Sequence, residues 1–149
     1  MTDDIEALAE WVAPILQKME PGERRKLMKE ISRDLRRANQ RRMKEQKGPD
    51  GKAWAPRKPR LRERGRIRKK AMFSKIRTAK YLKIRTTPDN AGLSFVGPAG
   101  RIAAIHHYGL RAKVDKDGPV YNYPSRKLLG FAKSDLEIIT DKVLEHVSL

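Results

Sequence analysis

Apolar residues recur at three- and four-residue steps near the start of the chain: Ile5, Leu8, Val12, Ile15, Leu16 and Met19. That spacing predicts an amphipathic helix over 3–19, with Asp3 and Asp4 where the positive end of the helix dipole favours them. Pro14 lies inside the pattern. It lacks the backbone donor that a helix interior uses, so a kink or an early stop is expected there. Pro21-Gly22 then breaks the chain, and a second helix is predicted over 23–46. Its apolar stripe is narrow, made by Leu27, Met28, Ile31, Leu35 and Ala38, and Lys and Arg fill the rest of the circumference. Two helices joined by so short a turn form an antiparallel hairpin. Beyond Ala38 the stripe fades among Arg41, Arg42 and Lys44, so that end is expected to project past the core.

Gly48-Pro49-Asp50-Gly51 is a turn signal, because proline presets the first turn dihedral and glycine accepts a positive φ. Trp54 follows, flanked by Ala53, Ala55 and Pro56. In this polar neighbourhood it is either an anchor packed over the helical hairpin or an interface residue. Residues 57–70 read RKPRLRERGRIRKK, with only Leu61 and Ile67 apolar. Such a stretch cannot bury enough to offset its ordering entropy, so it is expected to be mobile in isolation. Order is expected again from Ala71-Met72-Phe73. Over 80–87, Leu82, Ile84 and Thr86 alternate with Tyr81, Lys83 and Arg85, predicting a half-buried strand. Residues 88–92 form a hairpin loop and 93–97 the returning strand.

A short helix is predicted over 101–108, stopped by Gly109 at a left-handed cap position. A polar loop over 110–119 and a short strand over 120–123 follow. Ser134 and Glu137 have the spacing of a capping box, opening a last helix lined by Leu136, Ile139, Val143, Leu144 and Val147. The predicted fold is α+β in a single domain, 1–149. It divides into a helical hairpin (1–47), a basic loop or arm (48–71) and an α+β core (72–149). That core holds a small, mostly antiparallel sheet, a short central helix and the C-terminal helix.

Charge sharpens this picture. The chain of 149 residues carries a net +17, but unevenly. Residues 23–85 hold 26 Lys/Arg against six Asp/Glu, while 1–22 hold one against five and 86–149 eight against seven. A block of this kind seeks phosphates or an acidic protein surface. The candidate contact residues are Arg57, Lys58, Arg60, Arg62, Arg64, Arg66, Arg68, Lys69 and Lys70. Three readings stand for them: an arm that orders on a neighbouring protein, a contact to phosphates, or a solvated segment. Nine aromatics in the whole chain, almost none within the run, leave no base-stacking platform.

Catalytic chemistry finds little support. With no cysteine there is no disulfide, thiolate metal site or thiol nucleophile. His106 and His107 are adjacent, so on a helix their side chains diverge by about 100° and do not share a metal easily. Packing or an interface role suits them better. No phosphate loop, no G-x-S-x-G turn and no paired carboxylates appear. Neither a cofactor nor a metal is expected, and no enzyme activity. The N-terminus lacks the basic and apolar regions of a signal peptide, and no apolar run approaches the ~20 residues that span a bilayer. The chain is therefore expected to be soluble when made, in the cytoplasm.

Three landmarks in order carry a resemblance. The first runs from Arg41-Arg42 through Gln46 to Pro49-Asp50-Gly51, Trp54, Ala55, Pro56 and Arg57. The second is Ile105-His106-His107-Tyr108-Gly109, and the third Pro124-x-Arg126-x-Leu128-Leu129-Gly130-Phe131. Their order resembles the tail-completion, or virion morphogenesis, family of contractile-tailed phages and prophages. The resemblance implies a structural component at the head–tail junction of the virion. It also implies ring-like homo-oligomers, a hexamer among the expected sizes, that meet other tail and neck proteins. The basic arm is richer than the landmarks require, and the alternative reading is a nucleic-acid-binding protein without sequence preference that uses 57–70.

Overall fold

A computed structural model describes residues 2–57 and 71–147. Helix α1 spans Thr2–Gln17 and runs through Pro14. It stops short of Met19, and two i→i−3 bonds, from Lys18 N–H to Ile15 and from Met19 N–H to Leu16, close its last turn. Helix α2 spans Pro21–Lys44, so Pro21-Gly22 is its first turn rather than the break expected. Proline suits that position, because the donor it lacks would be unpaired there in any case.

The buried face of α2 is Leu27, Met28, Ile31, Ser32, Leu35, Asn39 and Met43. The expectation that its end projects past the core is therefore overturned. The four-residue stripe continues through Asn39 to Met43, and a hydrogen-bonded amide occupies the step where hydropathy appears to end. Val12, Leu27, Met28, Ile31, Leu35 and Val143 form one apolar cluster. Helix α4, Lys133–Val147, lies against both α1 and α2 and completes it.

Strands β1 (Leu82–Thr86) and β2 (Ala91–Phe95) pair antiparallel, with Leu82 opposite Phe95 and Thr86 opposite Ala91. This hairpin packs on α2 and leads through Gly97 into α3, Pro98–Tyr108. Again a proline opens the helix, three residues before the expected start. Gly109 caps it in the left-handed conformation at φ 65 and ψ 55, as its position predicts. A second ribbon follows where a polar loop was expected. Strand β3 (Arg111–Lys113) pairs with β4 (Val120–Asn122), placing Ala112 opposite Tyr121. The α+β class holds, with two separate two-stranded antiparallel sheets among the described residues.

The capping box does not form at Ser134 and Glu137. Helix α4 begins at Lys133, and Asp135 reaches back to accept the Ala132 backbone N–H at 2.9 Å. This is the reciprocal half of a capping box, in an earlier register. A second apolar cluster, Met43, Trp54, Ile76, Leu82, Ala99, Ala103 and Leu128, joins the end of α2 to α3 and to the segment before α4.

Candidate functional site: a junction of three landmarks

Residues 123–128 have no regular secondary structure, yet Arg126 and Leu128 are buried. Their backbone groups therefore need partners outside a ladder, and the other two landmarks supply them. The Arg126 N–H donates to the His106 carbonyl at 2.7 Å, and the Ser125 hydroxyl to the His107 carbonyl at 2.8 Å. The Leu128 N–H donates to His107 Nδ1 at 3.1 Å, and Trp54 Nε1–H donates to the Lys127 carbonyl at 3.1 Å.

Arg126 is the hub. Only 5% of it is exposed, and its guanidinium donates to the Ala55 carbonyl at 2.8 Å and to the Pro56 carbonyl at 3.2 Å. It also lies 3.2 Å from His106 Nδ1. Burial first, then the Arg126 and Arg57 charges, push the His106 imidazole down to about 4. The ring is therefore neutral at pH 7, and Nδ1 accepts from Arg126. Burial, with the Lys127 charge, also lowers His107. Both histidines act here as acceptors that tie chain segments together. Among the described residues, neither faces a carboxylate.

The turn of the first landmark forms as read. The Gly51 N–H bonds the Gly48 carbonyl at 3.0 Å, Asp50 accepts the Lys52 N–H at 2.9 Å, and Gly51 takes φ 82. Pro49 packs on Gly130, where an added Cβ would lie 2.6 Å from its ring carbon. At Gly109 a Cβ would meet the Ser125 backbone at 2.9 Å, so here glycine serves close approach as well as positive φ. Leu129 is half-buried beside Gly130, while Tyr108 is 70% exposed. Arg57 is exposed. Lys58, Arg60, Arg62, Arg64, Arg66, Arg68, Lys69 and Lys70 lie outside the described residues.

Helix α2 also holds the junction, through Asn39, which no landmark includes, and Arg42, which opens the first landmark. Asn39 accepts the Gly130 N–H at 3.2 Å, and Arg42 donates to the Gly130 carbonyl at 3.0 Å. Arg42 also forks onto the fully buried Asp135, at 3.1 and 2.8 Å. Rings run edge to face from Trp54 to Phe73 (5.4 Å), His106 (4.7 Å) and Tyr123 (4.8 Å). Beside the junction lies an open apolar groove of about 560 Å³, lined by Leu35, Leu93, Phe95, Ala103, Tyr108 and Phe131 among others.

All three landmarks thus meet in one place, though they are far apart in the chain. The family model for phage virion morphogenesis matches residues 3–148. The chain belongs to that family. It is also similar to Tail completion protein S of Escherichia phage P2, 38% identical over 136 residues, which cover 89% of this chain and 90% of that protein. No solved structure matches the chain. Membership gives the junction its context: the chain is a phage structural protein, and the residues that carry the resemblance knit its fold together. No helix among the described residues is long and apolar enough to cross a membrane.

The folded His106 value, about 4, lies below its ordinary 6.5, so the unfolded chain takes up the proton first as pH falls. The stability that neutral His106 contributes is complete above about pH 6.5 and is lost progressively towards pH 4. In urea unfolding at pH 7 and pH 5, His106→Gln is expected to lose less stability on acidification than the parent. Equal losses in both proteins would place the acid sensitivity elsewhere.

Proposed function

We propose that this chain completes a phage tail by assembling with copies of itself into a ring at the head–tail junction, where it meets neighbouring tail and neck proteins. Similarity to Tail completion protein S over 89% of the chain supports the tail-completion role. One observation supports the ring. The protomer carries two unlike surfaces side by side. One is the apolar groove, with Tyr108 and Phe131 exposed at it. The other is the β3–β4 ribbon, which has no third strand among the described residues and exposes Leu110, Val114 and Val120. A closed ring needs heterologous contacts, in which one patch of each copy meets a different patch of the next. In this reading the ribbon of one copy seats in the groove of its neighbour. The role is structural, in the virion.

The test is a mixing experiment. Leu110→Glu with Val114→Glu spoils the ribbon, and Tyr108→Glu with Phe131→Glu spoils the groove. All four side chains are exposed, so each variant keeps its core. In sedimentation, the parent is expected to form a ring and each variant alone to stay monomeric. An equimolar mixture is expected to stop at dimers, because one intact ribbon and one intact groove remain. A monomeric parent, or a mixture without dimers, contradicts the ring contact. Complementation of a phage lacking this gene tests the role itself: infectious particles should return with the parent protein.

A further inference from the structure

Helix α2 has a third side. At 3.6 residues per turn, Lys26, Lys29, Arg33, Arg37 and Lys44 fall within about 80° of arc and along about 27 Å of helix. All five are exposed. Gln40 is the one uncharged residue of that arc between them, and it donates to the Arg77 carbonyl. The acidic residues of α2 lie on a different edge, turned towards α4. Glu30 bonds His146 at 2.6 Å, Glu23 approaches the same ring at 3.9 Å, and Asp34 meets Lys142 at 3.4 Å. The His146 hydrogen bond, opposed by burial and aided by the His146, Lys142 and Lys26 charges, holds Glu30 below the usual carboxylate range. The acids of α2 are thus engaged with its neighbour helix. Arg37 reaches Asp34 at 3.5 Å, and Lys26, Lys29, Arg33 and Lys44 form no ion pair among the described residues.

We propose that this face of α2 binds the phosphodiester backbone of a nucleic acid without sequence preference. The face carries no apolar or aromatic side chain. Protein interfaces draw most of their energy from buried anchors of that kind, so an acidic protein would find charge here but nothing to desolvate. A phosphate backbone needs none. It is held by cations that displace condensed counterions, and such contacts position a protein without reading bases. The cations sit on a rigid helix, so no ordering of side segments is required before they act together. None of its residues belongs to 57–70, and the site does not depend on the ring.

The full chain is titrated with two short duplexes of unrelated sequence between about 50 and 200 mM salt. Two variants, each losing four charges, are compared: one on α2 (K26Q, K29Q, R33Q, R37Q) and one in the arm (R60Q, R62Q, R64Q, R66Q). Glutamine matches Lys and Arg closely in helix propensity, and an unchanged melting temperature confirms that α2 persists. The parent should bind both duplexes alike. Neutralising α2 should flatten the log–log salt slope by about 3.6, at roughly 0.9 per lost phosphate contact. The arm variant should keep that contribution. The proposal is overturned if the parent does not bind, if both variants lose the same slope, or if polyglutamate competes as well as duplex does.

Discussion

Asp135→Ala is expected to destabilise the protein by about 3–5 kcal/mol, the usual cost of removing one partner from a buried ion pair. Asp135 is fully buried, and both its oxygens are engaged by the Arg42 fork at 3.1 and 2.8 Å. The same carboxylate accepts the Ala132 N–H at the start of α4, so the substitution also removes a helix cap, worth about 1 kcal/mol. Arg42 cannot easily compensate. Its side chain is 13% exposed, and its Nε already lacks a partner among the described residues. Losing Asp135 strands a guanidinium that water barely reaches. Arg42→Ala should be nearly as costly, because it leaves a buried carboxylate. The double variant should cost much less than the two single losses combined, since neither orphan charge remains. Urea unfolding at neutral pH measures all three. A cost under about 1 kcal/mol for Asp135→Ala would mean that Arg42 swings out to solvent, and that the junction does not depend on the pair.

That pair also shows where the chain could and could not be read in advance. Periodicity found Leu27, Met28, Ile31 and Leu35, because burial on one helix face writes itself as three- and four-residue steps. Gly109 was legible for a similar reason: a left-handed cap is a local requirement that few residues meet. Asn39 and Asp135 were not legible. Both are polar residues at buried positions, and each has a partner about 90 residues away. Nothing local distinguishes them from the solvated Asn and Asp elsewhere in the chain. Arg126 stands in the third landmark, but its role was not legible: only the fold brings the Ala55 and Pro56 carbonyls to it. The three landmarks could be put in order, but order along a chain carries no statement that they meet. Strand β3 escaped because Arg111 and Lys113 flank a single small residue, which leaves no alternation to detect.

Trp54→Ala is expected to cost about 3–5 kcal/mol, as for other buried large aromatics cut to alanine. The indole sits in the second cluster with Met43, Leu82 and Leu128, its edge against Phe73 and its N–H on the Lys127 carbonyl. A cavity there touches the end of α2, the turn at 48–51 and the segment before α4 together. Trp54→Phe separates the two contributions. It keeps most of the packing but leaves the Lys127 carbonyl without its donor, an expected loss of about 1–3 kcal/mol. The substitution also bears on whether this tryptophan anchors the fold or an interface. Burial in the protomer argues for the fold, so monomer unfolding should shift while a mixture with the parent protein still assembles below the melting temperature. If instead Trp54→Ala unfolds like the parent but no longer associates, the indole belongs to a contact between copies. Arg126 would then hold the junction without it. The expected order, stability first and assembly only as a consequence, follows from Trp54 being 8% exposed while nearby Tyr108 is 70% exposed. A side chain already surrounded by its own chain has little surface left to offer a partner.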